Sequence, residues 1–167
     1  MPLKSSLNND AGLKISHYNS SDGVYPILPL LSEEFPNWTI DKIKNYVKLV
    51  DSKKSDVAGI LVAQNEAKYN VGMLIYSFQS ISSKYLQTNE KKEFTYGLIV
   101  ENIVSLSPIL RQQIYFVIIE YVINLAKKNN CKFIELPRFD ESYNLIKKKY
   151  QFQISNPNSF RVFIKLD

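Results

Sequence analysis

Leu106-Ser107-Pro108-Ile109-Leu110-Arg111-Gln112-Gln113-Ile114-Tyr115-Phe116 is the stretch on which the fold turns. Before it, Phe94 to Leu106 is an apolar run interrupted by Glu101 and Asn102; it reads as a long strand that Pro108 terminates. After it, Ile114, Val117, Ile118, Tyr121, Val122 and Leu125 recur at helical spacing as far as Asn129-Asn130, and Phe116, Ile119 and Ile123 widen the stripe. A helix apolar around most of its circumference must be heavily buried, which predicts packing on the face of a sheet. Cys131 to Leu136 is the next strand. A strand joined to a strand through a helix makes a right-handed crossover, so these two strands should run parallel.

Working towards the N-terminus, Val57 to Ala63 is an almost uninterrupted apolar strand, and Gln64 to Asn70 connects it as a hairpin to Val71 through Tyr76. Gln79 to Lys92 is polar and without period, which predicts a long loop or the frayed tip of a second hairpin. Thr39 is placed to cap a helix with Asp41 in its first turn and Ile40, Ile43, Val47 and Val50 at helical spacing. A shorter helical region begins near Asp22, where Pro26 suits a first turn and Pro29 predicts a kink before Phe35-Pro36. Leu13, Ile15 and Tyr18 suggest a first strand, broken by Ser21-Asp22-Gly23. Towards the C-terminus, Asp140 can cap a helix holding Tyr143, Ile146 and Lys147-Lys148-Lys149; Phe152 to Ile154 and Phe160 to Leu166 follow as a pair of strands. The order predicts an α/β (α+β) architecture: a mixed, mostly antiparallel twisted sheet with helices on both faces.

A chain of 167 residues suits one domain, expected over 11–167, with 1–10 as a loose tail that has neither a signal peptide nor an anchor. The apolar stretch Ile114 to Ile119 stops at Glu120, well short of the roughly 18 to 20 residues a membrane helix needs. Cys131 and His17 are each the sole residue of their type, which excludes an internal disulfide and a cysteine-based metal cage and leaves no set of metal ligands built on them. A lone cysteine without a secretion signal points to the cytoplasm. The net charge of +5 comes from 21 basic and 16 acidic residues spread along the chain, without the dense basic face or the motif of a nucleic-acid reader.

The element order, from Leu13 to Leu166, resembles that of the GNAT (Gcn5-related N-acetyltransferase) superfamily. Leu106 to Arg111 resembles that family's strand end followed by Pro-x-x-Arg, and Lys149-Tyr150-Gln151-Phe152 stands in the place of its Gly-Phe ending. The resemblance implies an acyl-CoA-dependent N-acyltransferase, most simply an acetyltransferase using acetyl-CoA and no metal. Its acceptor would be an amine on a small molecule or a protein, and a homodimer is left open. The alternative is a catalytically inactive GNAT-like domain that binds or regulates a partner.

In the family, an Arg or Gln followed by glycines lets the backbone N–H groups of a helix start wrap the CoA pyrophosphate. Arg111 matches, but Ile114 and Phe116 hold the two glycine positions, and the five glycines, Gly12, Gly23, Gly59, Gly72 and Gly97, all precede this loop. The cofactor would lie along Val104, Ser105 and Leu106 and reach Arg111, Gln112, Gln113 and Ile114. Glu101, an ionisable group in an apolar strand, is the candidate base. The family's general acid is a tyrosine five residues before the ending's Phe; here that position is Lys147, with Tyr143 and Tyr150 a helical turn to either side. The lysine runs read as solvated helix faces, His17 and Cys131 as structural residues, and Trp38 as packing.

Overall fold

The computed structural model describes residues 12–19, 21, 23–82, 94–153 and 161–166. The expectations placed on residues 1–10, Asp22, 83–92, Ile154 and Phe160 fall outside these. Strand β1 is Lys14–His17, and a 3-10 turn at Tyr25–Ile27 leads into helix α1, Leu28–Glu34; helix α2 is Ile40–Asp51. Strands β2 (Ala58–Gln64), β3 (Asn70–Ser82) and β4 (Phe94–Ser105) precede helix α3 (Arg111–Lys128) and strand β5 (Phe133–Leu136). A 3-10 turn at Glu141–Tyr143 opens the short helix α4 (Asn144–Lys149), followed by β6 (Phe152–Gln153) and β7 (Val162–Lys165).

The strands form a seven-stranded sheet in the order β1-β2-β3-β4-β5-β7-β6. Every neighbouring pair is antiparallel except β4 and β5, which the α3 crossover makes parallel. Two caps fall where their side chains require. Thr39 Oγ1 accepts the Lys42 N–H at 3.2 Å, and Asp140 Oδ1 accepts the Ser142 N–H at 2.8 Å, although Asp140 caps the 3-10 turn that leads into α4. α3 ends on Asn130 in the left-handed region, φ 59°, where Cys131 N–H reaches Ala126 O at 3.0 Å and Asn130 N–H reaches Lys127 O at 3.1 Å. These paired bonds satisfy the last carbonyls and turn the chain into β5.

Three readings need correction. Residues 79–82 continue β3, with Gln79 opposite Gly97 and Ser82 opposite Phe94, because pairing is a backbone property that polar side chains do not prevent. Val57 precedes β2 and is exposed; Ile40 opens α2 as its spacing predicts, exposed in the first turn beside the buried stripe of Ile43, Val47 and Val50. Cys131 likewise precedes β5 and is buried.

The sheet separates two cores. On one face α3 lays Ile114, Ile118, Ile119, Val122 and Ile123 against Leu61, Leu74, Tyr76, Leu98 and Ile103. On the other, Leu30 and Leu31 of α1 and Ile43 and Val47 of α2 cover Ile60, Val62, Met73, Ile75 and Val104. Each such side chain contributes about 1.5–3 kcal/mol by leaving water, which fixes α3 and α1 at the ends of β4 where they frame a gap.

Candidate functional site

β4 and β5 pair at Leu98 with Ile134 and at Ile99 with Glu135, and their ladder goes no further. β4 runs on to Ser105, while Leu136 of β5 pairs with Val162 and the chain then turns away. Two carbonyls of β4 beyond the ladder take side-chain donors. Val100 O accepts Arg161 Nη2 at 3.0 Å; Ile103 O accepts Arg138 Nη2 at 3.0 Å and the Tyr115 hydroxyl at 3.1 Å. Buried carbonyls are costly to leave unpaired, so these side chains stabilise the divergence of the strands.

A cavity of about 210 Å³ opens in the gap, lined by Glu33, Glu34, Ile103, Val104, Ser105, Arg111, Tyr115, Arg138, Asp140, Ser142 and Tyr143. Two of these residues, Glu34 and Arg138, belong to a polar chain running from α1 across β4 to the loop after β5. Glu34 Oε1 accepts Asn102 Nδ2 at 2.9 Å, Glu34 Oε2 accepts Arg138 Nη2 at 2.9 Å, and the Tyr46 hydroxyl donates to Asn102 Oδ1 at 3.3 Å. The Glu34 side chain is 9% exposed against 57% for Arg138, so the carboxylate is fixed and the guanidinium faces solvent. Arg138 holds the left-handed conformation, φ 50°, uncommon for a residue with a Cβ. Burial opposes the charge on Arg138, but Glu34 beside it more than compensates and its pKa is raised.

The residues expected to move protons are not brought together. A bulge puts Ile75 opposite Asn102 and Tyr76 opposite Val100, leaving Glu101 as the extra residue of β4. Glu101 is exposed and accepts Ser77 Oγ at 2.8 Å and Gln79 Nε2 at 3.2 Å; it does not line the cavity. The bulge explains its presence in an apolar strand. Tyr143 lines the cavity, but it is 1% exposed and its hydroxyl donates to Pro137 O. Burial, with Tyr115 and Asp140 adding to it, pushes its pKa far up. Tyr150 donates to Glu120 Oε2 at 3.0 Å, and Glu120 stands nine residues beyond Arg111, roughly 13 Å along α3. Burial, with Glu120 beside it, pushes Tyr150 up to about 12.

The residues expected to meet a cofactor cluster at one end of the gap. Val104, Ser105 and Arg111 line it, and Ser105 Oγ closes a tight turn by accepting Ser107 N–H at 3.1 Å and donating to Ser107 O at 3.0 Å. Leu106 is 40% exposed beside that turn. No side chain caps α3, although Leu110 N–H finds Ser107 Oγ at 3.1 Å. Ile114 departs from expectation: its N–H donates to Leu110 O at 2.8 Å and its side chain is buried against Gly72. The orphan N–H groups of the helix start are therefore those of Arg111, Gln112 and Gln113. With its partial positive charge and the Arg111 guanidinium, this end suits an anion, and the inward turn of Ile114 keeps the missing glycine from filling it.

Glu34, Tyr115 and Arg138 line the cavity and Asn102 bonds to Glu34 beside it; none of the four is among the expected site residues. Glu33-Glu34 before Phe35-Pro36 was a readable signal, an acidic helix end aimed at an aromatic corner; Phe35 and Trp38 stack at 4.0 Å, with Tyr46 edge-on to both. Burial raises the Tyr115 pKa, and Asp140 and Glu34 add to this against the opposing pull of Arg138 and Arg111. Among the described residues no group of three or more His, Cys, Asp or Glu side chains could hold a metal, and no helix is long and apolar enough to cross a membrane.

No family model matches the sequence, and no curated protein matches it. Solved structures do. The aminoglycoside 6'-N-acetyltransferase AAC(6')-Ih from Acinetobacter baumannii is 17% identical over 87% of this chain and 93% of its own, with a TM-score of 0.64. A GNAT family acetyltransferase from Staphylococcus aureus is 13% identical over 79% of this chain and 90% of its own, with a TM-score of 0.60. AAC(6')-Iy, in complex with a bisubstrate analogue of CoA and acetylneamine, is 15% identical over 86% of this chain and 92% of its own, with a TM-score of 0.61. The chain has the GNAT fold.

Proposed function

We propose that this chain, built on the fold of the GNAT acetyltransferases, is an acyl-CoA-dependent N-acyltransferase, most simply an acetyltransferase, acting on an amine. The observation that carries the reading is the divergence of β4 from β5 after Ile99, which opens a cavity ending at the start of α3. The donor's thioester arm would run along Val104, Ser105 and Leu106. Its pyrophosphate would meet Arg111 and the N–H groups of Gln112 and Gln113, with Ile114 as the floor beneath. Transfer itself is displacement at the thioester carbonyl: the amine nitrogen forms the C–N bond, the C–S bond breaks, and the thiolate leaves with the electron pair. The proton that ends on that thiolate comes from the attacking amine; Tyr143 lines the cavity with its hydroxyl bonded to Pro137 O and would relay that proton only by leaving this bond, while Glu101 and Tyr150 lie outside the cavity, so a part for either in proton transfer would run through water or a rearranged loop.

The carboxylates of Glu33, Glu34 and Asp140 around the cavity favour an acceptor that carries positive charge, and an aminoglycoside, the antibiotic class named for one similar structure, and neamine, whose acetylated form is part of the analogue bound to another, are reasonable first probes. The test is thermal unfolding with millimolar acetyl-CoA, followed by mass spectrometry of neamine, spermidine and a lysine peptide incubated with both. A ligand that binds only the native state raises its stability, by about 2.7 kcal/mol at a hundred times Kd. No shift sinks the reading. A shift without acetylation of any amine favours the second reading, a GNAT-like binding domain, for which the helical first turn at Arg111–Ile114 in place of a glycine loop is the supporting observation.

A further inference from the structure

We propose that Glu34 is the proton acceptor of this reaction and that Arg138 withholds it until the acyl donor is in place. The inference rests on the N-acyltransferase reading. Three carboxylates line the cavity: Glu33 is exposed, Asp140 is exposed and commits Oδ1 to the Ser142 N–H at 2.8 Å, and Glu34 alone has a side chain only 9% exposed, with both oxygens accepting from donors. The buried Glu34 carboxylate is held at Oε1 by Asn102, itself steadied by Tyr46, so its direction does not depend on Arg138. A base must be within hydrogen-bond reach of the proton it removes and must keep its orientation while doing so. Glu34 meets the second condition from the α2 side and the first from the cavity side.

Arg138 occupies the place the acceptor needs. Its Nη2 stands 2.9 Å from Glu34 Oε2 and 3.0 Å from Ile103 O, so one guanidinium nitrogen bridges α1 and β4 across the gap. That nitrogen marks where an acceptor ammonium would sit to hand a proton to Oε2. The guanidinium is 57% exposed, so water can replace Glu34 on it. Ion pairs this open to water hold weakly. Arg111 lines the same cavity, so an anionic donor entering the gap meets two arginines. Arg138 then exchanges the Glu34 carboxylate for the donor's phosphate oxygens, and Oε2 becomes free.

The proton balance closes without a further reagent. The ammonium of the acceptor gives one proton to Glu34 Oε2, which leaves a lone pair on nitrogen. The nitrogen forms its bond to the acyl carbon as the C–S bond breaks, and the proton it still sheds ends on the departing sulfur. Glu34 returns its proton to water when the product leaves and Arg138 closes back. Donor binding therefore precedes acceptor binding.

The test uses the full chain as wild type and as Glu34→Gln, Glu101→Gln, Arg138→Ala and Arg138→Lys, with two readouts: the rise in melting temperature with acetyl-CoA, and kcat and KM for acetylation of neamine, spermidine and a lysine peptide. Glu34→Gln is isosteric and can keep the Asn102 contact; by releasing Arg138 it should bind acetyl-CoA at least as tightly as wild type does, and it should lose at least a hundredfold in kcat. Glu101→Gln should lose much less. Arg138→Ala should weaken acetyl-CoA binding several-fold, and Arg138→Lys should restore much of it while the base stays available. A large kcat loss confined to Glu101→Gln overturns the assignment of Glu34, and acetyl-CoA binding undiminished in Arg138→Ala overturns the exchange. Absence of any acetyl-CoA shift in the wild type overturns the acyltransferase reading itself, a result distinct from both.

Discussion

The side chain of Ile114 lies on the bare Cα of Gly72: a Cβ there would stand 2.4 Å from Ile114 Cγ2, 3.1 Å from Ile118 Cδ1 and 3.3 Å from Ala63 Cβ. The glycine absent from the start of α3 thus has a counterpart in β3, which gives up its own side chain so that the helix can settle on the sheet. Gly72→Ala should cost about 1–3 kcal/mol by overpacking, and Ile114→Ala about 2–5 kcal/mol by leaving a cavity. The double variant should cost clearly less than the sum, because each change relieves the other. Urea unfolding of the four proteins measures the coupling; strict additivity would show that the two residues do not meet.

Arg111 and its neighbours in the first turn of α3 should separate in their effects. Arg111→Ala removes a cation from the cavity and should lower the stabilisation by acetyl-CoA, with a tenfold loss of affinity appearing as about 1.4 kcal/mol at saturating ligand. Gln112→Ala retains the backbone N–H, the group expected to bind, and should leave the shift close to that of the wild type. Titrations of melting temperature against acetyl-CoA compare them directly; a larger effect from Gln112→Ala than from Arg111→Ala would contradict an anion site built on backbone and guanidinium.

The parallel crossover was legible because it is written in periodicity: an apolar strand, a proline, a helical stripe from Ile114 to Leu125 and a second strand admit few other arrangements. The caps at Thr39 and Asp140 were legible for a local reason, since each side chain bonds to a backbone group two or three residues away. The heart of the site was not. Glu34, Asn102 and Arg138 bond across sequence separations of 68 and 104 residues, and nothing in one stretch of chain reports what the fold brings to it. Glu101 drew notice as an odd carboxylate in a strand, yet the oddity belongs to the bulge, whose extra residue points to water whatever its chemistry. Ile114 and Phe116 looked like obstacles when only the absence of glycine was visible; the direction of the Ile114 side chain depends on Gly72, forty-two positions earlier.

His17 should make stability fall on the acid side of neutrality. Its Nε2 lies 3.1 Å from the Tyr76 hydroxyl and its ring meets the Tyr121 ring edge-on, while Tyr76 itself donates to Ser55 O at 2.9 Å. Burial lowers the pKa of His17 below its ordinary value of 6.5. The unfolded chain then binds the proton more readily, so this contribution is complete above about pH 6.5 and is lost as pH falls from there through the folded value. His17→Gln should flatten that part of the profile. Urea midpoints between pH 5 and 8 for both proteins decide it; an unchanged slope would assign the acid sensitivity to other groups.

Tyr143 and Tyr115 offer a contrast in what a hydroxyl does. Each donates to a backbone carbonyl, but Ile103 O also holds Arg138, whereas the buried Pro137 O accepts from Tyr143. Removing one of two donors leaves the acceptor satisfied, so Tyr115→Phe should cost no more than about 0.5–1.5 kcal/mol. Removing the donor to Pro137 O leaves a buried carbonyl unpaired, and Tyr143→Phe should cost about 1–3 kcal/mol. The pKa of Tyr143 is raised above that of an ordinary tyrosine, so its phenol stays protonated across the range in which an amine can be acylated. If it returns a proton to the departing thiolate, Tyr143→Phe should lower kcat without moving the pH profile, because no tyrosine ionisation shapes the wild-type curve. A profile whose alkaline limb disappears in Tyr143→Phe would overturn this, because it would show the hydroxyl ionising within the working pH range despite its burial against Tyr115 and Phe152.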